Sequence, residues 1–314
     1  MAAISVLTGD SNAVKLWDEK VRRSVLQSLF FTNMTGKGAD AIIQIDDRMM
    51  KSKGDKVTFT LRAKSTSAGQ SSSTTGITLE GNEEAMVLYS DSVSLTEYGN
   101  GTKVESELTE QRVAFDIRNE CKLFLQDWAT DKLEILLASA LSASPSTNRY
   151  IDKSTVVITL EMLSALRRQA ILASPKIRPV TIKGKKYYVV LMHPMVMKSL
   201  KADTNFINYN KDARDRGIDN PLIQGADFII DGMLIYEYDR DELVQSGLVY
   251  RTLLLGAQAG VIAWSAKPSW KEKLFDYDTK FGAAVKMTCG VKKTVFNSED
   301  YGCFALDNLT VVDS

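Results

Sequence analysis

From Ser106 to Ala143 the chain runs without a glycine or a proline. Those are the two residues that most readily interrupt helical backbone, glycine through its entropy and proline through its missing N–H. A stretch that lacks both and repeats apolar residues at helical spacing is constrained to one long helix. Val113, Ile117, Cys121, Phe124, Trp128, Ile135 and Leu136 trace the stripe. Glu105, Glu107 and Glu110 crowd its start, where negative charge suits the helix dipole, and Ser144-Pro145 stops it. Thirty-odd residues rising ~1.5 Å each make a rod on the order of 50 Å, well above the usual length in a globular domain. The stripe keeps no strict heptad, which disfavours a coiled coil.

The segment before the rod has a different period. Val57, Phe59 and Leu61 alternate with Lys56, Thr58, Thr60 and Arg62, the pattern of a strand with one dry face. Met86 to Leu95 returns as a second extended run. Between them, Ser65 to Thr78 is almost all Ser, Thr, Gly and Ala, too polar to bury itself and to offset the entropy of ordering. Such a tip is expected to order only against another surface.

The remainder mixes helix and strand, so the fold class is α+β. Asp10 or Ser11 can cap a helix carrying Val14, Trp17, Val21, Val25 and Leu29, ending near Asn33, Gly36 and Gly38. A second short amphipathic piece spans Ala39 to Met50, before a turn at Lys51–Asp55. Helices are predicted around Leu160–Ala173 and Pro194–Leu200, and a strand at Lys185–Met192 whose run Lys186–Met192 reads as buried on both faces. Asn205 to Gly225 reads as polar loop. Ala226–Tyr238 reads as two strands joined by Asp231-Gly232, a favourable hairpin turn. Val249–Trp264 is apolar, and Ala284–Val312 reads as several short strands.

Composition narrows the function classes. Lys plus Arg and Asp plus Glu both number 39 among 314 residues, so no net basic field exists to hold nucleic acid by phosphate neutralisation. Three cysteines, Cys121, Cys289 and Cys303, have no metal-ligand spacing, and the odd count argues against a complete disulfide framework. The N-terminus lacks a signal-peptide profile, and the apolar run Leu133–Ala143 is broken by Glu134 and shorter than the ~18 residues of a membrane span. The chain therefore reads as soluble and intracellular when made.

Motifs for catalysis are missing from the sequence. His193 is the single histidine, and no Ser, Cys or carboxylate is placed for it by a recognisable pattern, so a turn role is expected. Gly36-Lys37-Gly38 and Gly54-Asp55-Lys56 lack phosphate-loop spacing. Asp46-Asp47 and Glu83-Glu84 are adjacent pairs that read as solvated faces. Asp212–Asp219, with Arg214 and Arg216 among its acids, reads as a charged loop or an intersubunit salt-bridge patch. Lys183–Lys186 and Lys292-Lys293 are small basic clusters able to touch DNA phosphates, a weak signal. No enzyme, metal or cofactor is expected. A long rod and a long polar hairpin suggest architecture, with both elements held by neighbouring copies.

The order of elements and a set of short motifs extend this. Gly54-Asp55-x-Val57-x-Phe59, Leu79-Glu80-Gly81-Asn82-Glu83-Glu84 and Tyr89-x-Asp91-x-Val93 come first. His193-Pro194, Asn220-Pro221-Leu222 with Gly225 and Gly232, Leu254-Leu255-Gly256-Ala257-Gln258-Ala259, and Tyr301-Gly302 follow. Together they resemble the major capsid proteins of tailed double-stranded DNA bacteriophages with the HK97 fold, in a podophage-type branch. The Ser/Thr insertion between Arg62 and Thr78 departs from the shorter, glycine-richer loop of that branch.

The resemblance implies an N-terminal arm (1–50), an extended E-loop hairpin (51–105), a P-domain with the rod as its spine helix (106–195), an A-domain (196–265) and a return to the P-domain (266–314). It implies self-assembly into hexamers and pentamers of an icosahedral capsid in the virion, built in the host cytoplasm. Its partners would be other copies, a portal protein, a scaffold or decoration protein, and packaged DNA held by weak non-specific contact, with no membrane. Val57, Phe59, Leu61, Glu83, Glu84, Trp128, Arg214 and Arg216 are the expected intersubunit contacts, and Gly99 and Gly101 an expected hinge. Some capsids of this fold crosslink through a loop lysine, and Lys64 stands near that place. An encapsulin-like compartment, a tail or adhesin protein, and an enzyme with an unrecognised site are the alternatives.

Overall fold

A computed structural model describes residues 25, 29–47, 55–62, 80, 83–105, 116–182, 184–211, 227–277 and 279–310, with backbone alone at 208–211. The chain first forms a 3-10 turn, Phe30–Met34, and two short strands, Thr35–Gly36 (β1) and Ile43–Asp46 (β2). The amphipathic piece at Ala39–Met50 is thus partly strand: Ile43 to Asp46 pairs in parallel with a later strand. Lys56–Arg62 (β3) and Leu88–Ser94 (β4) form the expected hairpin, in register from Lys56↔Ser94 to Arg62↔Leu88. Thr96–Lys103 (β5) follows after a single residue. Most of the helix expected before Asn33, and the Ser/Thr tip, lie outside the described residues.

The long helix is Ile117–Ser142 (α1). Its 26 residues span ~39 Å. Residues 106–115, which the sequence reading included, lie outside the described residues. Asp116 caps the start: its Oδ1 accepts from the N–H groups of Arg118 (3.0 Å) and Asn119 (3.4 Å). The buried face is Leu125, Ala129, Leu133, Leu137, Ala138 and Leu141. This corrects the predicted stripe, which runs one position off. Phe124 and Ile135 are exposed, and Ile117, Cys121, Trp128 and Leu136 flank the buried face half-covered. The rod is apolar on more than one side, so periodicity alone misplaced its inner face.

After it come Tyr150–Val157 (β6), Leu160–Leu172 (α2), Val180–Ile182 (β7), Lys185–Met192 (β8), Pro194–Lys201 (α3) and Thr204–Lys211 (α4). The helix α4 replaces the first part of the expected polar loop. Phe228–Ile230 (β9) and Met233–Glu237 (β10) turn at Asp231 and Gly232, both with positive φ (46° and 71°), as the sequence requires of a tight hairpin. Val244–Ser246 (β11) and Val249–Leu255 (β12) precede a long hairpin, Gly260–Phe275 (β13) and Lys280–Lys293 (β14). The sequence reading had only an apolar run and short strands there. Val295–Phe296 (β15), Glu299–Asp300 (β16) and Cys303–Leu309 (β17) close the chain.

Two sheets result. One runs β1-β2-β13-β14-β5; the other runs β6-β17-β12-β8-β10-β9, with β7 paired to β8 and β11 to β12. Period-two alternation assigns the faces of the larger sheet. Val189, Leu191, Leu234, Tyr236, Leu253 and Leu255 join the core that includes α1, while Tyr188, Val190, Met192, Met233, Ile235 and Leu254 join the core with α2 and α3. The expectation that Lys186–Met192 is buried on both faces therefore holds from Tyr187 onward, Lys186 being exposed. In the smaller sheet, Phe281, Ala283, Val285, Met287 and Cys289 of β14 join the α1 core. The opposite face receives the base of the β3–β4 hairpin through Val57, Val93 and Ala263.

Candidate assembly surfaces

A rod can transmit load only if its ends are fixed. The last carbonyls of a helix have no intrahelical partner, and cations nearby both bond them and suit the dipole. Here the C-terminal strands supply two such cations. Arg251 of β12 donates Nη1–H to the Ser142 carbonyl (2.7 Å) and holds Asp307 of β17 through Nε and Nη2, each at 2.7 Å. Tyr150 donates its hydroxyl to the same Asp307 (2.9 Å). Burial works to lower the Arg251 pKa, but the Asp307 hydrogen bonds and charge outweigh it and hold the guanidinium above its ordinary value. Burial and the Asp307 hydrogen bond push the Tyr150 phenol up to about 12. Lys293 of β14 donates to the carbonyls of Ala143 (3.1 Å) and Ser144 (2.7 Å) and pairs with Asp300.

Mid-rod, Glu134 is a second anchor. It accepts from the Phe30 amide (2.8 Å) and from Arg240 (2.6 Å), and Arg240 also reaches Asp131 (2.7 Å). The residue that interrupts an apolar run in the sequence thus ties the N-terminal segment to the helix. Phe30 and Phe31 pack beside Tyr238, with ring centroids 4.8 and 5.4 Å away.

The hairpin β3–β4 leaves this body from the base cluster. Val57 is buried against its own chain, so its expected intersubunit contact is met internally here; Phe59 and Leu61 are half-buried. Glu83 and Glu84 are exposed, and Trp128 is half-buried against the α1 core. Arg214, Arg216 and Lys64 lie outside the described residues. Gly99 and Gly101 sit within β5, in register with Lys286 and Ala284 of β14, and neither has a positive φ. The unusual backbone angles expected of a hinge are therefore not what these glycines supply. A Cβ on Gly101 would meet the Ala283 carbonyl oxygen at 3.2 Å, a tight approach that β14 would have to relax by a few tenths of an ångström.

Several large apolar side chains stand in water, in a pattern the sequence reading did not mark. Met86 (67% exposed), Val87 and Leu88 line the return of the hairpin; Leu123 and Phe124 (57%) lie on the outside of α1; Leu172 ends α2. Leu274, Phe275 and Tyr277 (98%) crown the β13–β14 hairpin. The available signal was the run Met86-Val87-Leu88, one residue past the Glu83-Glu84 pair, and an α1 apolar on two sides. Exposed apolar groups concentrated on projecting elements mark interfaces.

Several of the polar residues singled out in the sequence have structural partners within the chain. His193 is the N-cap of α3: its Nδ1 accepts the Met195 amide (3.2 Å), Pro194 begins the helix, and Tyr250 stacks at 4.5 Å. Burial lowers its pKa. Lys293 is buried, and Lys292 pairs with Asp91, so this basic cluster is committed within the chain. Asp47 pairs with Lys37 (2.8 Å). Burial pushes the thiols of Cys289 and Cys303 up to about 12; Cys121 is half-buried, and all three are free thiols.

Comparison with known proteins gives this architecture a context. The chain is 25% identical to the major capsid protein of Pseudomonas phage KPP25 over 367 aligned positions, covering 94% of each. The capsid of Ralstonia phage GP4 superposes with a TM-score of 0.80 at 20% identity, and the capsid of cyanophage Pam1 with 0.75 at 21%, each over 100% of both chains. The fold is thus the HK97-like α+β fold of phage capsids. A phage capsid protein family model matches residues 5–152 and 136–312. With both ranges together covering almost its whole length, the chain belongs to the phage capsid protein family.

Proposed function

We propose that this chain is the major capsid protein of a tailed phage, whose copies form hexamers and pentamers of an icosahedral shell around double-stranded DNA in the virion. The observation that carries the reading is the set of exposed apolar side chains on three elements: the return of the β3–β4 hairpin, the outer face of α1 and the β13–β14 tip. An obligate interface covers such surfaces. The internal anchoring of both the end and the middle of α1 suits a rod that bears load from neighbours. The reading gives the chain no catalytic step.

In this scheme residues 1–50 are the arm and 51–105 the extended loop that lies over a neighbour, with Phe59, Leu61, Glu83, Glu84, Trp128, Arg214 and Arg216 as contacts. Residues 106–195, with α1 as the spine, are the P-domain, 196–265 the A-domain, and 266–314 the return to the P-domain. The 265/266 division falls inside β13, which extends without a break to Phe275. Portal, scaffold or decoration proteins would meet the assembled shell. DNA contact is weak and non-specific, consistent with zero net charge.

Negative-stain microscopy of the purified full chain is the test. Closed spheres without an enzyme cargo, enclosing DNA when produced with phage packaging functions, are the expected result. Small rings, trimers or elongated particles would point to a tail or adhesin protein, and spheres loaded with an enzyme to a compartment. Removal of residues 65–78 should leave the chain folded but unable to build stable shells; normal particles from that deletion would remove the loop from the assembly scheme.

A further inference from the structure

Asn100 is the only asparagine of the chain that is followed by glycine. An asparagine can react with its own backbone when the next residue's nitrogen reaches its side-chain Cγ, and a glycine there puts no Cβ in the way. The place of this pair in the fold favours the approach. Among the described strands only β14 pairs with β5, so β5 is an edge of the smaller sheet. Val104 donates its amide to the Phe281 carbonyl (2.8 Å), and residues of an antiparallel pair exchange hydrogen bonds at every second position. Thr102, Asn100 and Tyr98 therefore aim their backbone groups at β14, and Gly101 aims its N–H away from the ladder.

That outward N–H meets the side chain just before it. Gly101 donates to Asn100 Oδ1 (2.9 Å), which folds the amide group back along the strand edge and sets its carbon beside the nitrogen that must attack. Asn100 is half-buried and Gly101 exposed, so water reaches both. They line an open trough of about 480 Å³ together with Gly99, Ala284 and Lys286, which leaves room for a ring. Ring closure needs the Asn100–Gly101 peptide to turn out of its extended form. A strand held along one side only opens locally more readily than an interior one. Other residues lack this combination. Asn308 is fully buried and bonded to Thr252, and Asn148 is bonded to Glu299. Asp91 has the same local contact, accepting the Ser92 amide (2.8 Å), but it carries no amide to expel and is held by Lys292.

We propose that Asn100 is a self-modification site of the folded chain, where Gly101 N closes a succinimide ring on Asn100 Cγ and expels ammonia. The Gly101 nitrogen gives its proton to hydroxide, the N–Cγ bond forms, the Cγ–Nδ2 bond breaks, and the departing nitrogen takes a proton from water. No electrons are exchanged with another reagent. Water then opens the ring. Attack at Cγ leaves an ordinary aspartate; attack at the Asn100 backbone carbonyl leaves isoaspartate, with the chain running through Cβ and Cγ. Either product adds one negative charge to a chain whose acidic and basic residues otherwise balance, on the trough that Lys286 also lines. Isoaspartate also lengthens the backbone inside β5, which disturbs the pairing of Thr102 with Ala283 and Lys103 with Gly282 much as a bulge does. Expulsion of ammonia is one-way, so the modified fraction grows with the age of the chain and loosens this edge of the sheet.

Ageing the purified full chain at mildly alkaline pH, followed by digestion and mass spectrometry, tests this whether or not shells form. Among all asparagines, Asn100 should be the first to gain the mass of deamidation, and chromatography should resolve its product into aspartate and isoaspartate. The folded chain should react within about tenfold of the rate of the urea-unfolded chain, as an edge that opens locally allows. Asn100→Gln, whose ring would be one atom larger, should remain unmodified at position 100. Gly101→Ala should slow Asn100 to the pace of the other asparagines, and circular dichroism should show it folded, since its Cβ asks only a small shift of β14. Hydrogen exchange across Thr96–Lys103 should be faster in the isoaspartate fraction than in fresh protein. Modification of Asn100 confined to the unfolded chain, or a faster reaction at Asn297 in its exposed turn, would overturn the site.

Discussion

At the scale of single residues, the chain spends its unusual side chains on joints. His193 has a depressed pKa because burial disfavours its charged form, and its cap requires a neutral Nδ1 acceptor. Between the folded pKa and the unfolded value near 6.5, the unfolded chain binds a proton that the folded chain does not. The stability His193 provides is therefore complete above about pH 6.5 and is lost as pH falls through the folded pKa. The denaturant midpoint should drop over that range, and His193→Asn, which keeps a capping acceptor without the titration, should flatten the drop. His193→Ala should cost about 1 kcal/mol at neutral pH, read from the same unfolding curves. Arg251 is a sterner case. Arg251→Met strands Asp307 among buried groups and should destabilise by about 3–5 kcal/mol, while Arg251→Met with Asp307→Leu should recover much of that in thermal melts.

At the scale of elements, α1 and the β3–β4 hairpin have divided roles. The inner face of α1 is core, and its outer face carries Leu123 and Phe124 in water. Phe124→Ser should leave the chain's own stability within about 0.5 kcal/mol, since the ring is mostly exposed and loses little internal packing. It should nevertheless reduce the yield of closed particles in microscopy. A wild-type particle yield would remove the outer face of α1 from the interface. Gly290→Ala should do the opposite: its Cβ collides with the Ser94 carbonyl, so the hairpin must shift. About 1–3 kcal/mol of destabilisation is expected, with exchange enhanced at the hairpin base. The two variants separate surfaces that meet neighbours from surfaces that hold the hairpin on its own chain.

At the scale of the whole molecule, two sheets share one long helix, and projecting parts carry apolar surface outward. Much of this was legible in the residues. Alternation at Val57–Arg62 determined the hairpin strand, Asp231-Gly232 its own tight turn, and the doubly buried run at Tyr187–Met192 the interior strand, because those patterns have local causes: pleat, positive φ and side-chain chemistry. The order of hairpin and long helix was equally local. The missed features are those that depend on distant partners. Which side of α1 faces inward was decided by the two sheets that cover it, since its own sequence is apolar on more than one side. Glu134 looks like an interruption until the Phe30 amide and Arg240 meet it from positions over 100 residues away. Gly99 and Gly101 read as turn-like by type, and only the pairing with β14 shows them to lie within a strand. Sequence by itself determined which segments are extended, helical or turning, because those preferences are settled within a few residues. The tertiary structure alone decided which face is buried, which charge is paired and where the chain bends, because burial and pairing are properties of surfaces brought together across the chain.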